Sequence, residues 1–258
     1  MSAEDGAMIR KQIARSLRPG QQPLHLPAGQ PEALAMPDNV IIECGWGRLL
    51  PGQTWRDPAA LAAELLRERP GRRDIAFYVE KPHVAVACAP QQLFVDPSEA
   101  FRLWLGGYRS AHPSRRGFTL RRLRTRADVA AISALYRSRQ MVPVDIPRVW
   151  RERASRAITY AIAEDRASGE IIGVAMGLDH VEAFADAQHG ASLWALAVAP
   201  QAAHPGVGEA LVRYLAEHYP ARGRATLDVS VMHDNSQALA PYEKPGFPRI
   251  PAFSGKPR

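Results

Sequence analysis

LAVAPQAAHPGVGEALVRYL, residues 196–215, carries two elements and the turn that joins them. With the residues just before it, SLWALAV (192–198) is a nearly continuous apolar run, the pattern of a strand covered on both faces. Beyond the loop, Val207, Leu211, Tyr214, Leu215 and His218 recur at helical spacing and predict a helix with one apolar stripe. Between them Gly206 and Gly208 allow the backbone to turn so that N–H groups converge, and a helix N-terminus adds about half a positive charge. Strand, glycine loop and helix in this order predict a cradle for a phosphate.

Spacing excludes two phosphate ligands. A nucleoside triphosphate loop needs a lysine after its last glycine, and here Glu209 and Ala210 follow Gly208. A dinucleotide fingerprint needs a third glycine where Leu211 stands, and it sits on the first strand of its domain.

Upstream, FTLRRL (118–123) predicts a strand, and Thr125 with Asp128 predicts a capping box. That box opens a helix whose Val129, Ile132, Leu135 and Tyr136 share a face. ITYAIAE (158–164) and EIIGVAMGL (170–178) flank DRASG as an antiparallel hairpin. Downstream, Gly223 stops the second helix and ATLDVSVMH (225–233) alternates as a strand. This order predicts an α/β (α+β) domain over 118–258.

A small α+β unit is expected at 39–105. VIIECGWGRLL reads as a strand, DPAALAAELLRER as a helix opened by Asp57 and Pro58, and DIAFYVE and HVAVACA as short strands. Gly106, Gly107, Pro113 and Gly117 mark 106–117 as a linker, and residues 1–38 read as a helix-like stretch at 4–17 followed by a proline-punctuated tail.

Composition narrows the class. The 258 residues are 46% hydrophobic and 23% charged, ordinary for a globular protein. No stretch approaches the roughly 18 apolar residues of a membrane span, and the N-terminus lacks an apolar signal core, so a cytoplasmic chain with no membrane partner is expected. Cys44 and Cys88 are too few for a disulfide framework and read as reduced, buried thiols. No metal-ligand spacing appears. The formal charge of +7 is almost all arginine, the lysines being Lys11, Lys81, Lys244 and Lys256, and speaks to solubility rather than fold.

Residues 196–211 resemble the acetyl-CoA-binding motif of the GNAT N-acetyltransferase superfamily, LAVxPxx[QR]GxG[IV]GxxL. NSQALAPYEKPGF (235–247) resembles that superfamily's second signature, NxxAxxLYEKxGF, in the same order. The resemblance implies a GNAT-like fold with a mixed, mostly antiparallel sheet, acetyl-CoA as cosubstrate, and an amine acceptor on a small molecule or peptide. It implies cofactor contacts at Leu196, Ala197, Val198, Ala203, His204, Gly206, Val207, Gly208, Glu209, Asn235 and Tyr242. The pattern departs at Ala203, His204 and Pro205, where the superfamily has Gln or Arg and a further glycine, and Pro205 removes one main-chain donor. Pro241 and Pro245 also stand where leucines are usual. The 39–105 order resembles half of the same fold without a phosphate loop, for which a packing or acceptor-shaping role is expected.

A closer resemblance joins CGWGRLLPGQTWRDP (44–58), RRDIAFYVE (72–80), MVPVD (141–145) followed by Trp150, and DVSVMHDN (228–235). Together with 192–212 these are similar to acetyltransferases of the bacterial N-acetylglutaminylglutamine amide pathway, which makes a dipeptide osmoprotectant. That similarity implies glutamine or glutaminylglutamine as acceptor.

Acyl transfer from a thioester needs three things. The developing oxyanion needs a fixed donor, for which a backbone N–H on a splayed strand near Ala197 and Val198 is the candidate. The leaving thiolate needs a proton, and the Tyr242 phenol (pKa about 10) can supply it to a thiol of about 8.5. The amine needs a base, and Asp179, His180, Glu182, Asp228, His233 and Asp234 are the candidates. Two other readings stand beside this enzyme: a non-catalytic acyl-CoA-binding module, motivated by Ala203, His204 and Pro205, and nucleic-acid binding through RRGFTLRRLRTR (115–126). Nucleic acid is disfavoured, because strand alternation splits those arginines between faces and only Phe118 could serve as an aromatic platform. A homodimer stays open.

Overall fold

The computed structural model describes residues 35–96, 98–110, 117–202, 204–232, 248–250 and 254–257. The expected 4–17 helix and most of the 1–38 tail lie outside them, as do 111–116 of the linker. In chain order the elements begin with β1 (Ile42–Glu43), β2 (Gly47–Pro51), α1 (Pro58–Leu65), β3 (Arg73–Phe77), α2 (Pro82–Cys88), β4 (Leu93–Asp96) and β5 (Ser98–Trp104). They continue with β6 (Phe118–Arg122), α3 (Arg126–Ser138), α4 (Ile146–Arg151), β7 (Ile158–Asp165), β8 (Ile171–Asp179) and α5 (His180–Phe184). The last are β9 (Gly190–Val198), α6 (Val207–His218), β10 (Thr226–Met232), β11 (Arg249–Ile250) and β12 (Ser254–Pro257).

Local chemistry explains most of the boundaries. Asp57 caps α1 by accepting from the Ala59 N–H, with Pro58 in the first turn. Thr125 and Asp128 form the expected capping box of α3. HVAVACA is a correction: Pro82–Cys88 is a helix. Its buried residues Pro82 and Ala85, with Ala89 just beyond, recur every three to four positions, while Val84 faces solvent. The valine alternation that suggested a strand carries no buried face. Cys88 is exposed on this helix, so only Cys44 is a buried thiol.

Two mixed sheets result. The five-stranded sheet runs β1-β2-β3-β12-β4 and the seven-stranded sheet β11-β5-β10-β9-β8-β7-β6. Among the described residues only β2 with β3 and β9 with β10 are parallel, and each of these pairs is joined through a helix, α1 and α6 respectively. Each pair is then flanked by a strand from the other part of the chain. β12 lies antiparallel between β3 and β4, and β5 lies antiparallel between β10 and β11. The two sheets thus exchange a strand, and the pairing of β5 with β10 crosses the 106–117 stretch.

The larger sheet is covered on both faces. Alternation in β7 sends Ala161 and Ala163 to one apolar cluster, with Leu211, Leu215 and Tyr219 of the α6 segment, and Tyr160 and Ile162 to another, with Val129, Ile132 and Tyr136 of α3. Trp46, in the turn between β1 and β2, and Ile75 and Phe77 of β3 join that second cluster. Where β8 meets α6 the contact is too close for side chains: a Cβ on Gly173 would lie 2.6 Å from Val207 Cγ1, and one on Gly177 would lie 2.3 Å from Tyr219 Oη. Between the parts of the chain, Asp228 of β10 takes a two-pronged bond from Arg102 of β5, Nε at 2.8 Å and Nη2 at 2.7 Å, and also accepts from the Tyr78 hydroxyl.

Two expectations follow. Gly173→Val drives a methyl into Val207 and should cost about 2 kcal/mol, lowering Tm by roughly 4–8 °C in a thermal melt. Burial raises the Asp128 pKa, but Arg121 and the amides of Arg124 and Thr125 outweigh it and hold the carboxyl well below its ordinary value. A depressed folded pKa gives stability that is full above the unfolded value of about 3.9 and is lost as pH falls below it. Acid unfolding between about pH 4 and 2 should therefore be shallower in Asp128→Asn than in the wild type.

Candidate active site

The parallel ladder between β9 and β10 runs from Gly190/Thr226 to Leu193/Val229 and then stops, although β9 continues to Val198 and β10 to Met232. β9 keeps β8 on its other side, with an irregularity between Val174 and Met176, opposite which Ala195 adopts φ +48°. This is a bulge, and the left-handed backbone at an alanine costs roughly 1 kcal/mol. The Ala199 N–H donates to Ile172 O at 2.8 Å. Antiparallel alternation then turns the Val198 N–H away from β8, toward the side β10 has vacated.

A cleft of about 750 Å³ opens at this parting, with Trp194, Ala195 and Leu196 on one wall and Val229 to Met232 on the other. Tyr136, Gln140, Met141 and Val142, at the end of α3 and just beyond it, close one end, and Trp46 of the β1–β2 turn with Arg73 and Ile75 of β3 reach it as well. The volume falls in the range of small-molecule sites.

Beyond β9 and the loop that follows it, Gly206 takes φ +82° and starts α6 with no side-chain cap. The first helical bond is Ala210 N–H to Gly206 O at 2.9 Å, so the amides of Val207, Gly208 and Glu209 precede the helix ladder. These free amides and the helix dipole are the features the expected anion cradle calls for. A Cβ at Gly206 would meet nothing within 4 Å, so it is the φ that calls for glycine. Glu209, an acid at the mouth of this cradle, is turned back onto Arg213, which donates to it through Nε at 2.9 Å.

His204 points elsewhere. Its Nε2 is 2.6 Å from Asp165 Oδ2 at the β7–β8 turn, and the ring packs where a Cβ on Gly117 would come within 2.1 Å of it. Amides of Ser168, the His204 ring and the amide of Ala167 together lower Asp165 to about 2. The ring pins the loop rather than lining the cradle. Of the residues the motif points to, Leu196 lines the cleft, Ala197 and Val198 follow it at the end of β9, with Ala197 buried, and Gly206, Val207, Gly208 and Glu209 open α6. Ala203, Asn235 and Tyr242 lie outside the described residues.

The carboxylates suggested as bases are held by arginines. Asp179 caps α5 and pairs with Arg224 Nε at 2.7 Å and Arg222 Nε at 3.1 Å. Glu182 meets Arg156 at 3.0 Å and Arg222 at 3.3 Å, and Asp228 is taken by Arg102 and Tyr78. His180 is buried against Ser192. His233 and Asp234 lie outside the described residues. In the arginine run, Arg121 turns inward onto Glu164 and Asp128, on the edge strand β6. Among the described residues no group of three or more His, Cys, Asp or Glu side chains gathers as a metal would require.

Residues 129–247, a little under half of the chain, match the model of the acetyltransferase (GNAT) family. Solved structures agree over more of it. A putative GNAT acetyltransferase from Novosphingobium aromaticivorans superposes with TM-score 0.55 at 17% identity, covering 82% of this chain and 84% of that one. The fold is the GNAT fold. A GCN5-related N-acetyltransferase from Sphaerobacter thermophilus gives TM-score 0.51 at 17% identity over 72% of this chain, which spans 59% of that chain's length. A tandem GNAT protein from the clavulanic acid biosynthesis pathway gives 0.50 at 16% identity, covering 84% and 76% of the two chains. No curated protein matches the sequence. At these identities the likeness shows the GNAT fold alone. Within it the parted strands and the α6 cradle are the expected cofactor side, while the α3–α4 segment and the first sheet border the opposite end.

The His204–Asp165 anchor gives a prediction. His204→Ala should leave the circular dichroism spectrum unchanged and weaken coenzyme A binding roughly three- to tenfold in calorimetry, the cost of ordering a released loop.

Proposed function

We propose that the protein is an acetyl-CoA-dependent N-acetyltransferase that moves an acetyl group directly to a primary amine of a small molecule or peptide, both substrates being bound together. The observation that supports it is a strand that leaves its parallel neighbour beside an open cleft, followed after a short loop by a helix whose first amides carry no side-chain cap.

The residues present fit the cosubstrate. Amides of Val207, Gly208 and Glu209 would hold the diphosphate, and the vacated edge from Leu196 to Val198 would take the pantetheine arm by main-chain bonds. Acetyl-CoA supplies an activated acyl thioester. The backbone amide of Val198, which faces away from β8, would stabilise negative charge developing on the carbonyl oxygen. Tyr242 is the proposed acid that protonates the departing sulfur, and Asn235 the proposed support for the cofactor arm, both by their places in the YEK signature. With Asp179, Glu182 and Asp228 occupied by arginines, the amine's proton leaves through water rather than directly to these carboxylates.

Glutamine or glutaminylglutamine is the proposed acceptor and osmoprotectant synthesis the proposed setting, on the strength of the sequence resemblance. The proposed place of action is the bacterial cytoplasm. Among the described residues no helix is long and apolar enough to cross a membrane. Trp46, Arg73 and Ile75 at the cleft support an acceptor-shaping role for residues 39–105.

Thiol release with a panel of amines that includes glutamine dipeptides tests the reading. Tyr242→Phe should lower kcat about 100-fold or more while coenzyme A affinity changes less than threefold. Coenzyme A binding in calorimetry without transfer to any amine would instead indicate a non-catalytic binding module.

A further inference from the structure

A buried chain of polar side chains ends in the cleft. The Trp194 indole N–H donates to Ser192 Oγ at 2.7 Å, and Ser192 Oγ lies 2.8 Å from His180 Nε2. On the other side of the ring, His180 Nδ1 faces Asp186 Oδ2 at 3.6 Å. Asp186 is fixed in turn by the amides of Gln188 at 3.1 Å and Gly190 at 2.9 Å. Indole can only donate and serine has one proton, so with the imidazole proton on Nδ1 the polar hydrogens run in one direction, toward Asp186. Ser192, His180 and Asp186 are buried, whereas Trp194 is half-buried and lines the cleft.

The surroundings reserve space for this chain. A Cβ on Gly190 would lie 2.7 Å from His180 Nδ1 and 3.0 Å from Asp186 Oδ2. The imidazole stacks on Phe184 with centroids 5.1 Å apart, and Phe77 meets the Trp194 ring edge-on at 5.3 Å. Trp194 lies between Leu193, the last residue of β9 paired with β10, and the left-handed Ala195. Beyond Leu193 the β10 ladder no longer constrains that backbone, which only Met176 of β8 still pairs at Trp194, so a side-chain anchor adds to what fixes the direction of the indole.

We propose that Asp186, His180 and Ser192 are positioning residues that fix the Trp194 indole as a wall of the acceptor end of the cleft, so that the wall's geometry selects which amines can approach. The activity readout rests on the acetyl-transfer reading, and the spectroscopic one does not. Ser192→Ala cuts the chain beside Trp194, and His180→Phe removes the ring nitrogens while keeping an aromatic ring against Phe184. Trp194→Phe supplies the background in which the indole is absent, and subtracting it isolates Trp194 fluorescence from that of the other four tryptophans.

In acrylamide quenching, both cuts should make the Trp194 emission more accessible, with coenzyme A affinity unchanged. With the amine that serves best as acceptor, each cut should raise KM roughly five- to tenfold, one hydrogen bond's worth, with kcat within about twofold. In the Trp194→Phe background neither cut should raise KM further. Unchanged Trp194 quenching, unchanged KM beside altered quenching, or a KM rise that persists without the indole would each overturn the proposal. Absence of transfer to every amine would defeat the acetyl-transfer reading instead, and quenching alone would then decide whether the chain holds the indole.

Discussion

The structure turns on a ladder that stops. Inside a sheet nearly every backbone N–H and C=O is paired, because a buried unpaired group costs as much as a lost hydrogen bond. β9 and β10 obey this up to Leu193 and Val229 and then separate in the middle of a seven-stranded sheet. The bulge at Ala195 redirects β9, and β5 keeps β10 paired from its other side through Met232. What is left between them is a lane of main-chain polar groups that a linear, amide-bearing ligand can satisfy as another strand would. At its end stands the N-terminus of α6.

Holding such an opening apart requires rigid flanks. Gly173 and Gly177 let α6 settle directly on β8, so the helix proposed to hold the diphosphate is fixed by backbone-to-side-chain packing. The exchanged strands fix the other flank. β5 belongs by sequence to the first part of the chain, yet its Arg102 is locked to Asp228 of β10, and Tyr78 adds a third contact. The carboxylate at 228 therefore ties the first sheet to the strand that forms one wall of the cleft.

Much of this was legible in the sequence where the signal is local. The loop glycines, the Thr125–Asp128 box, the hairpin around Asp165 and the apolar stripe of α6 follow from spacing within a few residues, and the structure has each of them. Pro82–Cys88 was not legible, since its valines imitate a strand while its small residues carry the helical face. Nor was the exchange of β5 and β12, because pairing between residues more than a hundred positions apart leaves no local pattern. Site chemistry divided the same way. The uncapped start of α6 could be read from glycine spacing, whereas the arginines that occupy Asp179 and Asp228, the tie from His204 to Asp165 and the chain from Asp186 to Trp194 depend on tertiary neighbours. A signal did exist for the last: Ser192 and Trp194 are two apart on one strand, hence on one face.

A crystal structure with coenzyme A bound tests the central claim most directly. The diphosphate oxygens should lie about 2.7–3.2 Å from the amide nitrogens of Val207, Gly208 and Glu209, with the pantetheine between β9 and β10. A cofactor bound elsewhere, with those amides turned to solvent and the lane between the strands empty, would contradict it.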